Sequence, residues 1–171
     1  ITVTRVADRS LNELLVSGEL DAVIAAHPPT EFLQGSGRVV RLFSDYRAVE
    51  EEYFRATGVF PIMHVVVLRE DVHEAHPWVA MNLMTAFEEA KRRSLERAID
   101  SNTPRFPVPW ASAHAEEAQE LFGCDLWPYG IEPNRTTLQK FLEYAHHQGV
   151  CGRLLEPEEL FAPQVQLTFR I

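Results

Sequence analysis

The sequence predicts an α/β protein, on three observations. Val65 to Leu68 continue an apolar, β-branched run that reads as a strand covered on both faces, as in parallel sheets. Leu20 to Ala26 form a second apolar run of strand length. The segments around these runs carry apolar residues at helical spacing, so strands and helices alternate along the chain.

In chain order, Ser10 and Glu13 have the spacing of a capping box, Leu11, Leu14 and Leu15 supply an apolar face, and Gly18 is placed to end a short helix over residues 10–17. The Leu20–Ala26 strand follows. His27-Pro28-Pro29 then leaves regular structure, because consecutive prolines remove donors and restrict the residue before them. Asp45 to Ala56 reads as a helix with Tyr46, Val49, Tyr53 and Phe54 near one face, Glu51 and Arg55 paired one turn apart, and Gly58 closing it. The strand entered from Val59 carries His64 near its start.

Pro77 to Ile99 is the longest helix, with Val79, Leu83, Ala86, Phe87 and Ala90 on one face and charged residues on the other. Thr103 to Trp110 is too rich in proline for a regular element and reads as an extended connection. A shorter helix ends at Phe122 before Gly123. The loop Asp125 to Asn134 is unusually aromatic, and Asn134 is placed to cap a helix bearing Leu138, Phe141, Leu142 and Ala145, which ends at Gly149. Pro157 begins a last helical turn.

At 171 residues, 46% hydrophobic and 24% charged, the chain has the composition of one soluble globular domain. Its net charge of -9 is spread through the helices, which argues against a nucleic-acid or anionic-membrane partner; an anionic ligand would need a local arginine pocket. No apolar run approaches the length needed to cross a bilayer. Cys124 and Cys151 fit neither a metal-binding nor a dithiol redox spacing and suit either a reducing compartment or a single bridge. The opening Ile-Thr-Val-Thr, without methionine or signal-like segment, suggests a fragment whose beginning is missing.

Five motifs carry a resemblance: Gly18-Glu-Leu-Asp-Ala-Val-Ile, Tyr53-Phe-Arg-Ala-Thr-Gly-Val-Phe-Pro-Ile-Met-His64, His76-Pro-Trp-Val-Ala-Met-Asn-Leu83, Trp127-Pro-Tyr-Gly-Ile-Glu-Pro-Asn-Arg135 and Pro157-Glu-Glu-Leu-Phe-Ala-Pro163. Together they resemble the 4,5-dihydroxyphthalate decarboxylase family, in its carboxyl-terminal part. The resemblance implies a two-lobed fold like that of type II periplasmic binding proteins, each lobe a three-layer α/β sandwich with ligand in the cleft between. On that reading residues 1–58 end the second lobe, 59–64 cross between lobes, and 65–171 belong to the first lobe, whose opening strands are absent.

The implied activity is that of a carboxy-lyase on a hydroxylated aromatic dicarboxylate. Such a reaction needs an acid to protonate the ring carbon and a clamp for the carboxylate. His64 and His27, each at a strand end, are the candidate acid/base groups, since histidine titrates near neutral pH and strand ends face clefts in open α/β sheets. The competing reading of each is a histidine satisfied by a backbone carbonyl. Arg47 and Arg55 are the candidate clamps, because a guanidinium fork matches a planar carboxylate, although nearby glutamates offer both ordinary ion pairs. Tyr53 and Phe60 would line an aromatic pocket. Trp110, Trp127 and Tyr129 read as residues that pin long loops.

No cofactor is predicted. A divalent metal is compatible but not indicated, since adjacent His146 and His147 splay apart around a helix. The alternative function is a solute-binding or sensing protein for a small carboxylate or heterocycle, which needs the clamp but not the acid. The enzyme would be cytoplasmic and the binding protein periplasmic. The sequence leaves the oligomeric state open.

Overall fold

The computed structural model describes residues 4–102 and 107–166. The chain divides into two compact units, Ile1–Glu50 and Glu51–Ile171.

In the first unit, α1 (Leu11–Ser17) starts where Ser10 and Glu13 satisfy each other. The Glu13 N–H donates to Ser10 Oγ at 3.2 Å, and the Ser10 N–H donates to the Glu13 carboxylate at 2.7 Å. Gly18 ends the helix at φ 79, a conformation in which a side chain would be strained. Leu14 is buried, α2 (Thr30–Leu33) packs against α1, and the Arg38 guanidinium donates to the Val16 carbonyl at 3.0 Å.

α3 (Tyr46–Thr57) carries the boundary between units within it. The expected pair forms, Arg55 donating to Glu51 at 2.9 Å, and the Gly58 N–H closes the helix on the Phe54 carbonyl at 2.7 Å.

The second unit contains α4 (Glu70–Ala75), α5 (Trp78–Ile99), α6 (Ala111–Phe122) and α7 (Arg135–His147), with 3-10 turns at Glu132–Asn134, Pro157–Leu160 and Pro163–Val165. α5 packs on α6 and on the Pro163–Val165 turn, and α7 on the other two turns. Leu138, Leu142 and Ala145 turn inward from α7 and are buried, as are Ile131 and Pro157. The apolar spacing of α7 therefore builds the centre of this unit. Phe141, expected on that face, is exposed.

Three expectations are corrected. First, the strands expected over residues 20–26 and 65–68 do not form; among the described residues there is no strand. Both apolar runs are irregular and largely open to solvent: Met63 is 77% and Val67 82% exposed, with Ile24, Val65 and Val66 also exposed. A strand is defined by its ladder, and a β-branched run without a neighbouring strand has nothing to pair with. Second, Asn134 does not cap α7 through its side chain, whose amide instead donates to the carbonyls of Pro128 and Gly130 at 2.6 and 2.9 Å. Third, α2 and α4 were not expected; both are too short to show a helical period. The proline-rich connection falls partly on Thr103 to Phe106, outside the described residues; Trp110 at its end has φ 58 and begins α6.

Candidate functional site

The best-defined constellation in the second unit surrounds Phe60, where the chain leaves α3. Its ring meets Phe122 of α6 at 4.8 Å, Trp127 at 5.6 Å and Phe54 at 6.4 Å between centroids, while Phe54 and Phe122 lie 4.6 Å apart. These separations and the edge-on approaches are those of favourable aromatic pairs. The Phe60 N–H donates to the hydroxyl of Thr137 at 3.2 Å, a group only 9% exposed on α7. Four parts of the second unit, α3, α6, α7 and the Trp127 loop, thus meet at Phe60.

Trp127 is held in turn by a lysine. Lys91 Nζ donates to Asp125 at 2.7 Å and to the Trp127 carbonyl at 3.1 Å, lies 2.9 Å from Glu88, and sits 4.5 Å from the centre of the Tyr129 ring. Its side chain is only 8% exposed. Burial by itself would lower the lysine pKa; the bonds and charges of Asp125 and Glu88 outweigh it, and the pKa rises. The aromatic loop is therefore pinned to α5 by a charge the fold keeps ionised, and the pinning role expected of Trp127 and Tyr129 is what the contacts show. Trp110 is 77% exposed.

A second polar junction ties α7 to the following turn. The Arg135 guanidinium reaches both Glu132 and Glu158, holding both carboxyls below the usual carboxylate range. Arg153 and the Glu156 N–H likewise bond Glu159, whose pKa falls to about 2.

Among the expected site residues, His64 lies in exposed, irregular backbone just past Phe60, and His27 in exposed, irregular backbone of the first unit. Arg55 is engaged with Glu51, and Arg47 is exposed and also has a partner. Tyr53 is exposed, one residue before Phe54 of the aromatic cluster. The structure thus draws Phe60 into a cluster with Phe54, Phe122 and Trp127. Thr137 and Lys91 gave no sequence signal, since a threonine and a lysine on helices are ordinary. Phe54 and Phe122 had a usable one: each is the aromatic in a last helical turn before a glycine.

Among the described residues no three His, Cys, Asp or Glu side chains gather as a metal site, and no helix is long and apolar enough to cross a membrane.

No family model matches the chain. A 4,5-dihydroxyphthalate decarboxylase of Comamonas testosteroni is 34% identical to it over 163 residues, covering 95% of this chain and 49% of that enzyme. The chain spans about half the length of this relative.

Proposed function

We propose that this chain is part of a decarboxylase of the 4,5-dihydroxyphthalate decarboxylase family, acting on a hydroxylated aromatic dicarboxylate. The observation that carries the reading is the 34% identity running through 95% of the chain, too long to reflect one shared local motif.

The proposed scaffold has two α/β lobes, with residues 1–58 in one, 59–64 crossing and 65–171 in the other. The exposure of Val65, Val66 and Val67 supports it: consecutive β-branched residues open on both faces suit a central strand whose neighbours lie elsewhere in the protein. We assign those neighbours to the half of the relative's length that this chain does not match.

In the reaction, a general acid protonates the ring carbon that bears the departing carboxylate. A hydroxyl para to that carbon stabilises the dienone-like intermediate by electron donation. The carbon–carbon bond then breaks, its electron pair restores the aromatic ring, and carbon dioxide leaves; a proton has replaced the carboxylate. His64 and His27 are the proposed acid/base groups. Arg55 would exchange Glu51, or Arg47 its present partner, for the carboxylate that stays, with bidentate geometry favouring the swap. Tyr53 and the exposed edge of Phe60 would contact the ring.

The test is incubation of the full-length protein with 4,5-dihydroxyphthalate, following protocatechuate by chromatography. Turnover in the parent, lost in His64→Ala or His27→Ala, supports the assignment. Turnover undiminished in both variants removes the histidines; substrate binding without product in the parent makes the protein a solute-binding relative.

A further inference from the structure

We propose that Thr137 is a positioning residue for the segment that carries His64, an inference that rests on the decarboxylase reading for its effect on turnover. Its hydroxyl accepts the Phe60 N–H at 3.2 Å across 77 residues of sequence. Both the bond and the aromatic rings around Phe60 act on the same residue, but they constrain different things. The rings of Phe54, Phe122 and Trp127 hold the Phe60 side chain in place. The hydroxyl addresses its backbone.

That distinction matters because Pro61 follows. Proline lacks an N–H and has a fixed φ, and it restricts the residue before it to extended backbone. With the Phe60 N–H tied down and the next φ set by the ring, two successive constraints act where the chain departs toward His64. Beyond this point Met63, His64, Val65 and Val66 are exposed. Thr137 is itself buried on α7, so the reference point is the buried centre of the unit. An unpaired buried hydroxyl would also be costly, which gives Phe60 and Thr137 a mutual reason to stay bonded.

Thr137→Val keeps the shape and removes the acceptor; Thr137→Ser keeps the acceptor. Both are made in the full-length protein and read three ways: exchange of the Phe60 amide, the imidazole resonances of His64, and steady-state kinetics with 4,5-dihydroxyphthalate. For Thr137→Val the expected result is Phe60 exchange about tenfold faster, a broadened or split His64 signal, and kcat lowered about tenfold with KM within about twofold. Thr137→Ser should restore all three. A sharp, unmoved His64 signal in Thr137→Val overturns the proposal, as does Thr137→Ser failing alongside it. If the parent protein has no decarboxylase activity, the functional reading fails by itself, and the amide and imidazole signals still decide whether Thr137 positions His64.

Discussion

Lys91 and Asp125 join α5 to the aromatic loop through a 2.7 Å contact in which the lysine side chain is almost wholly enclosed and the aspartate stays half open to water. The asymmetry sets its value. Water still screens the aspartate, but the ammonium has few other partners to turn to, and the ones it has are Glu88, the Trp127 carbonyl and the Tyr129 ring.

Lys91→Met fills the space without the charge. It is expected to destabilise the protein by about 1–2 kcal/mol, with Trp127 moving to a more solvated environment. Urea unfolding gives the first quantity and tryptophan fluorescence the second; an unchanged midpoint would show that packing alone pins the loop. Because the lysine pKa is raised, the pair's contribution is complete below the ordinary lysine value and is lost only as pH climbs through the raised one. Between neutrality and pH 9 the unfolding midpoint difference between parent and variant should hold steady.

Phe122 touches both Phe54 and Phe60 and is half-buried, so its truncation opens the cluster at its middle. Phe122→Ala is expected to cost about 2 kcal/mol, below the usual range for a fully buried phenylalanine because part of the ring is already wet. Phe122→Leu should recover roughly half of that. A loss under about 0.5 kcal/mol for the alanine variant would mean the rings do not act as a unit.

The Glu159 carboxyl, bonded by Arg153 and by the Glu156 N–H, is held at about 2 against an ordinary value near 4.5. A depressed carboxyl stabilises the fold above its unfolded pKa. That stability is lost as pH falls from about 4.5 to about 2, as the group takes up a proton. Glu159→Gln should flatten the acid limb of the stability curve in that window, and the carboxyl carbon resonance should titrate near 2. A midpoint at or above 4 would refute the assignment.

For the apolar run Val65 to Leu68, the proposed pairing can be read by amide exchange. In the chain alone these amides should exchange at close to unstructured rates, and in the full-length protein more slowly by about 100-fold or more. Equal rates in both would end the view that strands outside this chain complete a sheet here.

Where an element is stabilised by its own neighbours, the sequence by itself determined it. The Ser10–Glu13 box, the Gly18 and Gly58 stops, the Glu51–Arg55 pair and the inward face of α7 are contacts within about one or two helical turns, so spacing encodes them. The histidines, arginines and tyrosine of the expected site rest on side-chain chemistry together with expected element ends and the family resemblance. Tertiary structure decided what depends on distant partners: that Asn134 braces a loop instead of capping a helix, that Lys91 is enclosed, that Thr137 receives Phe60, and that two strand-like runs stand without a ladder. The physical reason is common to all four. A hydrogen bond or a β-ladder needs a second group, and no local pattern says which group far along the chain, or beyond it, will arrive.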